Sequence, residues 1–300
     1  MTAAAAQLGM TQSAVSQLIR QIEADLGVAL FDRQRRPIVV TPAGERLREA
    51  AAVIVNAVQQ LPGLVRHGSR DALRRLRVGL VDSFASTMGA DLIKALQSSA
   101  SQVTVWSGLT PFLYDALLQR QIDMAITTDA MDDRDDFDVL VLFQEPYVLV
   151  QPLEDGKAPC LDLNRLAASQ PLIRYTSRST IGRQVDQQLR RLGIDAPRRF
   201  EFDATDPLLN MVVAGLGWSI TTPFCLLQAR YPAGSFHVSP LPGAGLSRSF
   251  LLTARRNELG TLPATTAALV QGLLRKHYFQ RLLAIAPWLT PGDLLPEDPR

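Results

Sequence analysis

Gln12, Ser13, Ser16, Gln17 and Arg20 follow one another at helical spacing, and no carboxylate interrupts them before Glu23. Amide and guanidinium groups form paired hydrogen bonds with base edges, while short hydroxyls reach phosphates, so this set suits the major groove of a duplex. An amphipathic helix with a merely solvated polar face would look similar in isolation. The next residues weigh against that reading. Arg33, Arg35 and Arg36 precede a β-branched run at 38–40, the pattern of a short hairpin whose basic tip meets a phosphate backbone. A second chemical group lies further on, where Asp82 and Ser83, Ser107 and Thr110, and Thr127 and Thr128 stand after successive apolar runs. Any one of these hydroxyls would serve as a helix cap; three pairs in succession favour a polar ligand.

The elements that must position these residues can be read from periodicity. Val15, Leu18, Ile19, Ile22 and Leu26 form one apolar face, with Thr11 as N-cap and Gly27 as terminator. Ahead of them an Ala-rich segment reaches Gly9, which predicts helix, glycine turn and polar-faced helix. Thr41 and Pro42 then open a long helix whose Leu47, Ile54, Val58 and Leu61 make a narrow seam, suited to self-association, before Pro62 and Gly63. Residues 67–75 read as a polar hinge. Beyond it strands are expected at 76–81, 103–106, 123–127, 171–175 and 198–202, with helices at 86–97, 111–119, 182–192 and 206–213. Residues 214–223 add a glycine turn and a buried strand. This alternation predicts a mostly parallel, doubly wound α/β body.

Composition narrows the possible functions. The formal net charge is +2, but residues 1–80 carry eleven Arg against six acids, leaving the rest of the chain at −3. A basic head on an acidic body points to a polyanionic partner at one end. Cys160 and Cys225 have no metal-ligand spacing and read as reduced thiols, while the three histidines form no pair. No metal and no cofactor are expected. No GxSxG, Walker loop or paired catalytic carboxylates suggest an enzyme. The uncharged stretch 207–229 is broken by Asn210, Gly215, Gly217 and Pro223, which excludes a membrane span, and no signal peptide is legible, so a cytoplasmic location is expected.

The strings TQSAVSQLIRQIEADLGVALFDR and VVTPAGERL resemble the DNA-binding domain of LysR-type transcriptional regulators, with the likeness running from Ala3 to Leu47. IDMAIT, PLIRYTSRS and VVAGLGWSITTP resemble the effector domain of the same family. The resemblance implies a winged helix-turn-helix at 1–41, a dimerising linker helix at 42–68 and an effector-binding domain at 76–300. That domain would have a periplasmic-binding-protein-like fold of two α/β subdomains, one from 76–160 plus 266–290 and the other from 161–265. Gln12, Ser13, Ser16, Gln17 and Arg20 would lie on the recognition helix, and Arg33, Arg35 and Arg36 on the wing. Ser83, Thr110, Thr128, Ser177, Arg178, Thr205 and Thr222 would line a cleft for a small-molecule effector, with Arg178 suited either to an anionic ligand or to a surface salt bridge. Double-stranded operator DNA and a second copy of the chain, in a homodimer or homotetramer, are the other partners implied. Family members carry about one further helix ahead of this start, so the head is expected to lack part of its apolar cover. Two alternatives stand beside this reading: a shortened ligand-binding, dimerising chain with impaired DNA binding, and a stand-alone solute-binding protein.

Overall fold

The computed structural model describes residues 4–5, 9–35, 38–48, 50–51, 54–55, 58, 75–129, 135–153, 158–232, 234–243 and 245–295. Arg36, most of the expected linker beyond residue 51 and residues 67–74 of the expected 67–75 hinge lie outside the described residues. The chain divides into two compact units, Met1–Val65 and Arg66–Arg300.

The first unit is built by local capping. Helix α1 (Gln12–Leu26) starts where the Thr11 hydroxyl accepts the Ala14 N–H at 3.2 Å and stops at Gly27, whose φ of 67° a side chain would disfavour. Strands β1 (Phe31–Asp32) and β2 (Val39–Val40) pair antiparallel as the expected hairpin. Residues 42–48 are helical behind Thr41, whose hydroxyl accepts the Gly44 N–H at 3.1 Å and donates to the Ala29 carbonyl at 2.7 Å. Gly44 is required by space, because a Cβ there would lie 2.3 Å from the Leu30 carbonyl oxygen. Val15 is buried, whereas Leu18, Ile22 and Leu26 of the same apolar stripe are 52%, 40% and 51% exposed.

The second unit contains two sheet-centred lobes. It runs β3 (Leu76–Val81), α2 (Asp82–Thr87), α3 (Gly89–Leu96), β4 (Val103–Gly108), α4 (Thr110–Leu118), β5 (Met124–Thr127), β6 (Phe137–Pro146) and β7 (Val148–Pro152). It continues through α5 (Leu163–Ser169), β8 (Ile173–Tyr175), α6 (Thr180–Arg191), β9 (Phe200–Phe202), α7 (Thr205–Val213), β10 (Ser219–Thr221), α8 (Pro223–Ala229), β11 (Phe236–Pro240) and β12 (Ser247–Arg255). Helix α9 (Leu262–Leu273), a π-helical turn at Leu274–Tyr278, α10 (Phe279–Ile285) and α11 (Pro291–Leu294) follow.

The first lobe's sheet has the order β4-β3-β5-β12-β6. Its β4, β3 and β5 run parallel, as alternation predicts, but β12 runs antiparallel to both β5 and β6. The second lobe holds the antiparallel set β10-β7-β11 and the parallel pair β8-β9. Phe84, Met88, Phe143, Phe250 and Val270 centre the first core, and Val150, Ile173, Leu208 and Trp218 the second. Burying each such side chain contributes roughly 1.5–3 kcal/mol.

The sheets relocate the subdomain boundaries expected at 160/161 and 265/266. The chain leaves the first sheet at Pro146 and rejoins it at Ser247, because β6 and β12 are one antiparallel pair that carries both crossings. Those strands, with β7 and β11, follow no βα alternation, which is why a periodicity search passes over them.

Candidate functional site

In the second unit the C-terminal ends of β3, β4, β5, β8 and β10 bring most of the expected hydroxyl groups into buried clusters. The central one is organised by a residue with no sequence motif, Arg248 on β12. Register sets Arg248 directly opposite Glu145 on β6, and the two are 3% and 0% exposed. The Arg248 Nε donates to Glu145 Oε1 at 2.8 Å, while its terminal nitrogen reaches Ser83 Oγ at 3.2 Å, Thr222 Oγ1 at 2.9 Å and Cys225 Sγ at 3.5 Å. The guanidinium also lies 5.0 Å from the centre of the Phe250 ring. Glu145 Oε2 accepts the Phe224 N–H at 2.8 Å. Burial, the largest single influence, lowers the Arg248 pKa, but the Glu145 carboxylate together with Cys225 and Tyr147 outweighs it and holds the group above its ordinary value. Ser83 leaves the first lobe at β3, and Thr222 leaves the second at β10, so one guanidinium ties both strand ends to the crossing strands.

Two smaller clusters flank this one. Thr110 and Thr128 sit with their hydroxyl oxygens 3.4 Å apart, and the Thr128 N–H donates to Thr110 Oγ1 at 3.3 Å. The buried Tyr175 hydroxyl donates to Thr205 Oγ1 at 3.1 Å and lies 2.8 Å from Thr221 Oγ1. Burial drives the Tyr175 pKa well above its ordinary value, so this phenol stays protonated. Nearby, burial also raises the Asp82 carboxyl, with a hydrogen bond from Ser107 pulling the other way.

The 176–179 loop behaves differently. Ser179 caps α6 by accepting the Gly182 N–H at 3.0 Å, while Ser177 and Arg178 are exposed. Arg178 is 3.4 Å from Asp203, both side chains being largely in solvent. Of the two roles expected of Arg178, the surface salt bridge is the one found; strand alternation turns Arg174 inward to Asp186 at 2.5 Å, and Arg248 occupies the strand-end cluster. Arg183, on the first turn of α6, crosses to the first lobe and meets Asp129 at 3.2 Å. Tyr147, between β6 and β7, donates to Gln184 Oε1 at 2.5 Å. Of the residues expected to line the cleft, Ser83, Thr110 and Thr128, read from strand ends, and Thr205 and Thr222, implied by the resemblance, are buried, whereas Ser177 and Arg178 are exposed. Sequence reasoning missed Arg248, Glu145, Tyr175 and Arg183, whose partners are distant in sequence.

In the first unit, Gln12, Ser13, Gln17 and Arg20 are exposed and Ser16 is half-buried on α1. Arg20 lies along the helix, its Nε donating to the Ser16 carbonyl at 3.2 Å. Glu23 ties α1 to the hairpin by accepting the Leu30 N–H at 2.8 Å and the Phe31 N–H at 3.3 Å, and it pairs with Arg33 at 2.5 Å. The Leu30 N–H is the main cause that holds the Glu23 carboxyl below its usual range; burial opposes it, and Phe31 and Arg33 add to it. Arg35 meets Asp32 at 3.3 Å and remains mostly exposed. Among the described residues no group of three or more His, Cys, Asp or Glu is placed to hold a metal, and no helix is long and apolar enough to cross a membrane.

Known proteins share both units. Residues 1–45 match the family described as bacterial regulatory helix-turn-helix protein, lysR family, and residues 69–276 match the LysR substrate binding domain. The chain is 27% identical over 245 residues to the HTH-type transcriptional regulator YusT of Bacillus subtilis, covering 81% of this chain and 80% of that protein. It is 28% identical over 260 residues to DgdR of Burkholderia cepacia, with 82% and 81% covered. A full-length OxyR variant from Pseudomonas aeruginosa shares the fold at a TM-score of 0.66 and 21% identity, covering 89% of this chain and 88% of that one. Full-length CbnR complexed with its target DNA shares it at 0.62 and 22%, covering 90% and 93%.

Proposed function

The chain belongs to the LysR family of helix-turn-helix transcriptional regulators, and from that premise we propose that it reads operator DNA through α1 and the β1–β2 hairpin while a small molecule held at the strand ends of its body controls that contact. Gln12, Ser13, Ser16, Gln17 and Arg20 face base edges and the neighbouring phosphates; Arg33, Arg35 and Arg36 meet the backbone. The helix from residue 42 onward brings two or four copies together on one site. The protein works in the cytoplasm and performs no catalysis.

One observation carries the sensing half of this reading. Ser83 and Thr222 come from different lobes and share one terminal nitrogen of Arg248, itself fixed to Glu145 on a crossing strand. A polar ligand entering between the two strand ends takes over those hydroxyl bonds, and the guanidinium then resettles on Glu145 and the ligand. Binding is thereby converted into a shift of one lobe against the other, because the group that senses the ligand also stands on the strands that join them. The Arg183–Asp129 pair spans the two lobes and must part for the ligand to enter. The hydroxyl-rich lining and the fixed cation favour a polar ligand with at least one acidic group.

Selection from a random duplex library by the full chain tests the DNA half. Enrichment of two related half-sites separated by about one helical turn, or a multiple of it, is expected. Recovery of unenriched sequence at every round would contradict it.

A further inference from the structure

A second anion site stands on the solvent face of α6. Residues Ile181, Val185, Gln188 and Leu189 of this helix are buried. The opposite stripe carries Arg183, Gln187, Arg190 and Arg191, which together with Ser177, Asp186 and Arg198 line an open concavity of about 790 Å³. Four guanidinium groups thus share a depression with a single carboxylate. That carboxylate is already committed, because Asp186 is paired with both Arg174 and Arg198. Arg190 donates only to the Asp186 backbone carbonyl, at 3.2 Å, and Arg191 has no ion-pair partner among the described residues. Residues 170–203 hold seven arginines against Asp186, Asp195, Glu201 and Asp203, a local +3 within a body that is −3 overall. The negative end of a helix favours arginine at 190 and 191, while Arg183 pairs with Asp129 and Arg198 with Asp186 and Glu201, so Arg190 and Arg191 carry the uncompensated charge of the depression.

We propose that this concavity binds a small anion bearing two or more phosphoryl groups, separately from the ligand at the strand ends. Guanidinium forks match phosphoryl oxygens in pairs, and several forks spaced along two helical turns fit linked phosphates better than a single one. The Ser177 hydroxyl and the Gln187 amide add neutral donors at the wall. The volume falls in the range of small-molecule sites, and the charge lies in an inward-curving depression rather than on a ridge that a duplex would follow. Arg183 belongs both to this concavity and to the Asp129 pair between the lobes. An anion that draws Arg183 toward the concavity loosens that pair, so occupancy here favours opening of the lobes.

Calorimetric titration of the full chain with inorganic tripolyphosphate, at fixed ionic strength, tests the site. The wild type is expected to bind it at one site per chain and more tightly than orthophosphate. The R190A/R191A variant alters only exposed side chains and should bind at least about tenfold more weakly. Arg165→Ala, an exposed arginine elsewhere on the lobe, should leave affinity unchanged. Absence of wild-type binding, equal affinity in R190A/R191A, or an equal loss in Arg165→Ala would each overturn the proposal. A scrambled duplex supplies the remaining arm: R190A/R191A should bind it as the wild type does. Weaker duplex binding would reassign the face to the DNA backbone and overturn the small-anion site.

Discussion

Helix α1 in the head and helix α6 in the second lobe each begin on a hydroxyl cap, Thr11 and Ser179, and each carry an apolar stripe at three- and four-residue spacing. Their surroundings differ. Helix α6 buries Ile181, Val185 and Leu189, whereas α1 buries Val15 and leaves Leu18, Ile22 and Leu26 largely exposed. An amphipathic pattern therefore identifies the face that seeks cover without saying how much cover it receives. The head is held by local hydrogen bonds: the Thr11 and Thr41 caps and the Glu23 carboxylate that joins α1 to the hairpin. Among the described residues the body is held by apolar cores and by buried ion pairs, of which Arg248–Glu145 is the most enclosed. A reader of DNA built in the first way responds to acid and charge; a sensor built in the second responds to packing.

The largest expected effect lies at the ion pair. Arg248→Met leaves Glu145 buried without its cation and should destabilise the body by about 3–5 kcal/mol in urea denaturation followed by tryptophan fluorescence. Replacing both partners, as R248M/E145L, should recover most of that loss. A double variant as unstable as the single one would show that the pair itself is not the cause. Next in size is the contrast between the helices. Leu189→Ala removes a buried side chain and should cost about 2–5 kcal/mol, while Leu18→Ala should stay within about 0.5 kcal/mol. Equal losses at the two positions would show that α1 and α6 do not differ in the cover given to their apolar faces.

A smaller, pH-dependent effect should separate the units. The folded head holds the Glu23 carboxyl below its ordinary value, so the stabilisation is present above the unfolded pKa of about 4.3 and is lost as pH falls through the lower folded value. Hydrogen exchange at α1 amides should accelerate, relative to wild-type α6, as pH is taken down through that window once intrinsic rates are corrected. Glu23→Gln should abolish the dependence. Persistence of the same acid response in Glu23→Gln would assign it to another group.

How much of this was legible in the sequence depends on distance along the chain. Thr11, Gly27, Thr41 and the hairpin are decided within a few residues, and the structure agrees with each. The hydroxyl groups after β3, β4 and β5 were legible because parallel strands end beside helix starts. Arg248 and Glu145 were not, since they stand 103 positions apart on antiparallel strands and no periodicity links them. The same strands displaced the subdomain boundaries. Arg178 stands exposed between Ser177 and Ser179, whereas one strand earlier Arg174 turns inward and one helical turn later Arg183 reaches Asp129. Sequence names the segment; the pleat and the helix phase choose which arginine does the work.

The claim that the polar face of α1 reads sequence is tested most directly by fluorescence anisotropy with a duplex recovered by selection and a scrambled duplex of equal length. Arg20→Ala should weaken binding to the selected duplex by about 1–3 kcal/mol and leave the scrambled duplex unaffected. Equal weakening on both would make Arg20 a phosphate contact. Unchanged binding to the selected duplex would contradict the assignment of α1 as the reading helix.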